Sequence, residues 1–460
     1  MDVHDDLERR FIVVERQAPS GAWVSVGAIL LPEPKYGLSG GFRYDNDYAG
    51  PALSPLLDYT RQADPDDASR SVEDPRLFRV VGVQGRGADR EDLLDVFAAA
   101  LPGKWGTTVM GSHSPEYLRS PASERLWMLG DWRAGALRFS SEGGTNLERF
   151  IEGESALQAL REQVNGFIKL IAEHGHLPRG MKMGAAEDRW ALATNGGAVP
   201  KCAYRHEDGR EYVAKFSRRE VGSYEDTRVE RGMLTMSQEA GIDTVNSMLI
   251  DIAGGEPVLC TQRFDVSKSG TRLHKISMAT ALGQPIEARV DYTRMAEFLR
   301  VHGAPGDVEE LYRRMLFNGF ARNSDDHLGN FEVLQTATGW RLAPAFDLLV
   351  FPTLEDGTPR PHASTLCGHE HAEHSVAWIR EAAAAFSIDE ATALRTAQQV
   401  LRAIDHLPDH MLQAGVSRAT LEQTLLPAVR PDDVMRLRME IDQALAGLSS
   451  GKAKALEARM

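Results

Sequence analysis

The spacing of apolar and polar positions divides the 460-residue chain into stretches of different period. Within residues 11–45, "FIVVER", "AWVSVGAILL" and "GLSGGFRYD" read as short strands separated by turns. The acidic, proline-containing "RQADPDDASRSVEDP" reads as an exposed loop or insertion. "REDLLDVFAAAL" has helical spacing, and "LPGKWGTTVMG" and "GDWRAGALRFS" read as turn and strand. "ESALQALREQVNGFIKLIAEHG" is predicted as a long amphipathic helix that closes a first domain near residue 183.

From about residue 186 the pattern is strand, turn, strand in "RWALATNGGAVPKCAYRHEDGREYVAKFS", with "HEDGR" as the hairpin turn. A helix over "RVERGMLTMSQEAG" is expected to stop at Gly241. Two strands follow in "VNSMLIDIAGGEPVLCTQRFD", and the remainder from about residue 275 reads as mostly helical. "RLRMEIDQAL" and the "SSGKAKALEARM" tail read as a surface helix with a frayed basic end. No internal repeat interrupts this order. The expected architecture is α+β: a β-rich N-terminal domain at 1–183, a small β-rich lobe at 184–266 and a mostly helical lobe at 267–460.

Composition narrows the class. Hydrophobic content of 42% with 26% charged residues is that of a soluble globular protein. No run approaches eighteen apolar residues, so no transmembrane helix is predicted and no membrane partner is expected. The N-terminal "MDVHDDLERRF" lacks the basic and apolar regions of a signal peptide. Cys202, Cys260 and Cys367 lie far apart, which fits a reducing cytoplasm rather than disulfides or a zinc ribbon. A net charge of −14 disfavours non-specific binding to nucleic acid, so a role on DNA is expected only indirectly, through a partner.

The candidate chemistry is phosphoryl transfer, which needs a phosphate cradle, a lysine on the phosphates, a carboxylate that orients it, a proton acceptor and oxygen ligands for Mg²⁺. The chain offers these parts in kinase order. Gly196 and Gly197 fall in a strand turn, "TNGGAVPK", and Lys215 lies on the next strand in "YVAKF". Glu230 is on the following helix, Asp325 and Asn330 have D-x-x-x-x-N spacing in "ARNSDDHLGNF", and Asp347 follows in the apolar "PAFDLLVF". Each part has an ordinary reading: a turn for Gly-Gly, a snorkelling lysine, a surface glutamate, a cap for the Asp–Asn pair. Asp347 resists that treatment, because a lone carboxylate in an apolar run is costly without a cation. Asp326 is expected to face solvent without a role.

These residues also carry a family resemblance. "FARNSDDHLGNFEVL" with "GWRLAPAFDLL" resembles the HipA signature N-x-D-x-H-x-x-N-F followed by L-A-P-x-Y-D-L. "NGGAVPK", "ERGMLTMSQEAGI" and "QRFD" resemble the phosphate loop, helix and hinge of that family. "GLSGGFRYDNDYAGPALSP" and "LPGKWGTTVM" resemble its N-terminal domain.

The resemblance implies a protein-kinase-like bilobal domain and a serine/threonine protein kinase, the toxin of a type II toxin–antitoxin pair acting in the bacterial cytoplasm. Asp325 would be the catalytic base, with Asn330 and Asp347 as Mg²⁺ ligands. Lys215 and Lys201, with Gly196, Gly197 and Ala198, would hold the ATP phosphates, with Glu230 beside Lys215. Gln262, Arg263 and Phe264 would form the adenine hinge. His327 would buttress the loop, or serve as a structural imidazole bonded to backbone. Thr194 stands where the family's best-known members carry an autophosphorylated serine. Gln262 replaces the hinge glutamate, and Gly329 replaces the frequent basic residue before the metal-binding asparagine.

By the same resemblance the target would be an aminoacyl-tRNA synthetase, the glutamyl enzyme first. Its modification would cause growth arrest of the persistence type, and a HipB-like helix-turn-helix antitoxin would neutralise the kinase and tether it to the operator. Two alternatives remain: a kinase-fold scaffold acting chiefly as co-repressor, or a kinase of another protein or small molecule. The Cys367, His369, His371 and His374 cluster in "CGHEHAEH" fits no standard zinc spacing and reads as a loop or helix start.

Overall fold

Ile12 and Val14 are buried while Phe11 and Val13 stay partly exposed, the period-two burial of a strand with one face on a core. That strand, Phe11–Gln17, lies inside a five-stranded antiparallel sheet of the computed structural model. In spatial order the sheet runs Leu77–Arg79, Gly41–Tyr44, Trp23–Leu30, Phe11–Gln17, Leu137–Ser140. The structure describes residues 11–32, 40–62, 64, 67–80, 93–128, 135–140, 150–174, 199–217, 224–253 and 255–457.

The fold is α+β, β-rich in the N-terminal region and helical in the C-terminal portion. The chain divides into two compact units. The first comprises Met1–Arg218, Gln262–Ile276 and Gly283–Pro285, and the second Arg219–Thr261, Ser277–Leu282 and Ile286–Met460.

In the first unit the segment expected as turn and strand at "LPGKWGTTVMG" is instead a helix, Lys104–His113. Trp105, Val109 and Met110 are buried, and that helical spacing outweighs the β-branched Thr107, Thr108 and Val109. The expected amphipathic helix is Glu154–His174, with Leu157, Leu160, Val164 and Phe167 buried along one stripe. Strands Lys201–Arg205 and Glu211–Lys215 pair antiparallel as the predicted hairpin, turning through Gly209 at φ +79°. The tip is held by the His206 N–H donating to the Arg210 carbonyl at 3.0 Å.

The second unit starts with the helix Asp226–Glu239, which ends ahead of Gly241 at φ +79°, the stop expected from sequence. Strands Ser247–Ile250 and Val258–Gln262 pair antiparallel through Thr261. The helix Glu390–Asp405 is central to this unit. It packs against the helices Asp307–Phe320, Val376–Ala385, Asp226–Glu239 and Pro431–Glu457. The last of these is not the surface helix expected from "RLRMEIDQAL": Val434, Leu437 and Ile441 are fully buried at helical spacing, while Met435 and Met439 are exposed. Within the mostly helical remainder, Glu332–Thr336 and Gly339–Leu342 form a hairpin the sequence reading did not anticipate. No helix of the described residues is long and apolar enough to cross a membrane.

Candidate functional site

The buried helix Asp307–Phe320 must end and reverse before the "ARNSDDHLGNF" loop can form. It does so at Ala321, after which Arg322 takes a left-handed conformation at φ +59°. The Asn323 N–H then donates to the Asn318 carbonyl at 2.9 Å, the six-to-one bond of a Schellman ending. The side chains repeat the link, Asn323 Nδ2 donating to Asn318 Oδ1 at 3.0 Å. A stiff helix end thus launches the loop.

Asp325 lies on the outer side of this loop with its side chain 53% exposed. Five residues on, Asn330 donates its Nδ2–H to the Asp325 carbonyl at 2.7 Å, which closes the loop. That bond uses the amide N–H and not Asn330 Oδ1, an oxygen of the kind that can ligate a hard cation. His327 Nδ1 accepts the Gly329 N–H at 3.0 Å, and its Nε2 lies 3.9 Å from Asp325 Oδ1. The imidazole is therefore bonded to backbone and close to the Asp325 carboxylate.

Asp347 is partly buried and sits at φ +56°, a left-handed conformation rare for a residue with a side chain. Its flanks are pinned on both sides. The Val245 N–H donates to Ala345 O at 3.0 Å, and the Ala345 N–H donates to Asp243 O at 2.7 Å. Beyond it, the Leu349 N–H donates to Asn323 Oδ1 at 3.3 Å and the Phe351 N–H to Arg322 O at 3.0 Å. The Asp347 segment therefore runs beside the start of the Asp325 loop. A small pocket is lined there by Asn318, Asn323, Asp326, Asn330, Phe346 and Leu348, among others. Glu230, in the same unit, is buried on the helix Asp226–Glu239.

In the first unit, Lys201 and Lys215 are direct partners across the hairpin, so both ammonium side chains leave the same face of the ladder. Both are 6% exposed. Two ammonium groups shielded from water in this way each need a hydrogen-bonding or anionic partner. Gln262 ends its strand, the Arg263 guanidinium is committed to Asp265 with bonds of 3.0 and 2.7 Å, and the Arg263 N–H donates to the Glu211 carbonyl at 2.9 Å. The Phe264 ring lies 5.6 Å from Lys275 Nζ. Thr194, Gly196, Gly197 and Ala198 lie outside the described residues.

Asp326, expected to face solvent, is instead 1% exposed. Tyr292 OH and His362 Nδ1 donate to its Oδ2 at 2.9 and 3.0 Å. The Ala363 and Ser364 N–H groups donate to its Oδ1 at 2.9 and 3.3 Å. A buried carboxylate survives only with such partners, and nothing in the local "DDH" spacing announces residues 292 and 362. Among the described residues, no group of three or more His, Cys, Asp and Glu side chains is arranged to hold a metal ion. Cys367, in the "CGHEHAEH" stretch, has its thiol pushed up to about 12, first by burial.

Residues 193–407 match the HipA-like C-terminal domain family. Over 120 residues the chain is 31% identical to a Sinorhizobium fredii (strain NBRC 101917 / NGR234) protein named "Putative kinase Y4mE"; the match covers 24% of this chain and only 29% of that relative. In fold it is similar to a chain of the solved Shewanella oneidensis MR-1 toxin–antitoxin complex of HipA, HipB and operator DNA. The TM-score is 0.62 and the identity 14%, over 95% of this chain and 99% of that one.

Proposed function

From the match of residues 193–407 to the HipA-like C-terminal domain family, we propose that the protein is an ATP- and Mg²⁺-dependent serine/threonine protein kinase acting as a HipA-type toxin. One observation carries this reading. The Asp325 loop closes on itself through Asn330, presents an exposed carboxylate, and runs beside the pinned Asp347 segment.

In the proposed reaction the Asp325 carboxylate accepts the proton of a serine or threonine hydroxyl as its oxygen attacks the γ-phosphorus, and ADP leaves. Asn330 Oδ1 and the Asp347 carboxylate are hard oxygen donors, and Mg²⁺ is commonly held by one or two such side chains plus substrate phosphates. Asn330 and Asp347 would hold Mg²⁺, which would supply positive charge against the phosphates. Lys201 and Lys215 bind the phosphates, Gln262 to Phe264 contact adenine through backbone, and Glu230 supports Lys215. His327 holds the loop turn through its bond to the Gly329 N–H. The phosphate loop is assigned to Gly196, Gly197 and Ala198, and self-modification to Thr194. Residues 1–183, 184–266 and 267–460 are taken as N-terminal domain, small lobe and large lobe.

The Shewanella assembly pairs HipA with HipB and operator DNA, which supports a HipB-like helix-turn-helix antitoxin as partner and contact with DNA through it. An aminoacyl-tRNA synthetase, the glutamyl enzyme first, is the proposed target in the bacterial cytoplasm, and its phosphorylation would arrest growth. The test is incubation of the purified chain with Mg²⁺ and γ-labelled ATP, alone and with candidate synthetases. Label on serine or threonine supports the reading. No ADP release and no label under any condition would leave only a kinase-fold scaffold.

A further inference from the structure

Asp326 stands next to the proposed base yet has no part in the reaction just described. Its surroundings form a directed chain. The Leu349 N–H donates to Asn323 Oδ1 at 3.3 Å, and Asn323 Nδ2 donates to Asn318 Oδ1 at 3.0 Å. Asn318 Nδ2 donates to Tyr292 OH at 2.9 Å, and Tyr292 OH donates to Asp326 Oδ2 at 2.9 Å. Every donor points the same way, and the chain ends on a carboxylate that only accepts. Burial, and next the Asp326 charge, hold the Tyr292 phenol well above its ordinary range, so it remains a donor. Asn318, Asn323, Tyr292 and Asp326 are all buried, where aligned hydrogen bonds polarise and strengthen one another.

The two ends of this chain lie at the two halves of the proposed site. Leu349 is two residues past Asp347, and Asp326 directly follows Asp325. On its far side Asp326 also fastens residues 362–364, through His362 Nδ1, the Ala363 and Ser364 N–H groups, and Ser364 Oγ donating to the Asp326 carbonyl at 2.7 Å. The Asp326 backbone is therefore held by side chain and carbonyl together, which leaves the Asp325 carboxylate little freedom to drift.

We propose that Asp326, acting through Tyr292, Asn318 and Asn323, sets the separation between the Asp325 base and the Asp347 ligand. These four are positioning residues and touch no reacting atom. The proposal rests on the kinase reading. A misplacement of roughly 1 Å at a reacting centre lowers turnover by about a hundredfold. Loss of this linkage should therefore appear in kcat, while the lysines and hinge that bind ATP are untouched.

The experiment measures ADP release by the full chain with Mg²⁺ and ATP for wild type, Asp326→Asn and Tyr292→Phe, alongside thermal melts by circular dichroism. Tyr292→Phe removes a single oxygen and decides the matter if Asp326→Asn does not fold. The expected result is a kcat lower by about tenfold in Tyr292→Phe and about a hundredfold in Asp326→Asn, with KM for ATP within about twofold of wild type and a cooperative melt retained. A folded Tyr292→Phe with wild-type kcat, or one whose defect lies in KM alone, overturns the positioning role and leaves the kinase reading standing. A wild type that releases no ADP overturns the kinase reading itself, and this inference with it.

Discussion

Asn330 donates its side-chain N–H to the main-chain carbonyl of Asp325 at 2.7 Å, so proposed base and proposed metal ligand are joined without using the Asp325 carboxylate or Asn330 Oδ1. Substitution at Asp325 can therefore remove the base and leave the loop closed. Asp325→Asn keeps the volume, and the half-exposed side chain carries little of the fold. Phosphoryl transfer from ATP is expected to fall by about 10²–10⁴-fold, with the melting temperature within about 2 °C of wild type. Measured label transfer at the wild-type rate would remove Asp325 from the base role.

Asp347 combines partial burial with a left-handed backbone held by the bonds of Ala345 and Leu349. A conformation that costs about 1 kcal/mol or more in a residue with a side chain persists here at the proposed Mg²⁺ ligand. Asp347→Ala is expected to abolish the growth arrest caused by overexpressing the wild-type chain, at equal protein level by immunoblot. Arrest by both forms would show that toxicity does not need phosphoryl transfer.

The fold was legible in sequence where local pattern and tertiary packing agree. The hairpin over 201–215 and the helix over 226–239 were both expected, because turn chemistry and apolar period point the same way there. The segment of the helix Lys104–His113 reads in sequence as turn and strand, since its β-branched residues outweigh a short apolar stripe until Trp105 and Met110 are buried. The Asp325–Asn330 pair was visible because its two members are close in sequence. The importance of Asp326 was not, because its partners Tyr292 and His362 lie more than thirty residues away on either side. A neighbour in "DDH" looks like spare surface charge until the fold brings donors to it.

Lys201 and Lys215 face one another across a hairpin at low exposure. If they serve a polyphosphate, removing either ammonium should weaken ATP binding. Lys201→Met and Lys215→Met are each expected to raise the Kd for ATP by about tenfold, the worth of one charge-assisted hydrogen bond. Titration calorimetry of both preparations checks this. Unchanged ATP affinity in both variants would move the phosphate site elsewhere.

Stability should fall in two steps as the solution is acidified, and histidines set the first. His274 is fully enclosed, its Nε2–H donating to the Leu53 carbonyl at 2.7 Å, and burial pushes its pKa from 6.5 down to about 3, with Arg16 and Lys275 adding to the effect. His374 is pushed down to about 4, first by burial and then by Arg322, with Arg436 and Arg430 acting the same way against Asp433. A histidine whose folded pKa is depressed takes up its proton in the unfolded chain first. Its contribution is therefore whole above pH 6.5 and is lost progressively as pH falls toward 4 and then 3, at up to about 1.4 kcal/mol per pH unit for each ring. Glu239 supplies the second step. Burial raises its carboxyl, but hydrogen bonds from His406 and His410 outweigh this and hold it below its ordinary 4.5, so its contribution is present above that value and is lost below it. Thermal midpoints measured from pH 7 to pH 4 should thus decline once the pH falls below about 6.5. His274→Gln, which keeps an N–H for Leu53 and cannot titrate, should flatten that decline between pH 6.5 and 5. An identical slope in wild type and His274→Gln would mean that the ring at position 274 is already protonated in the folded chain.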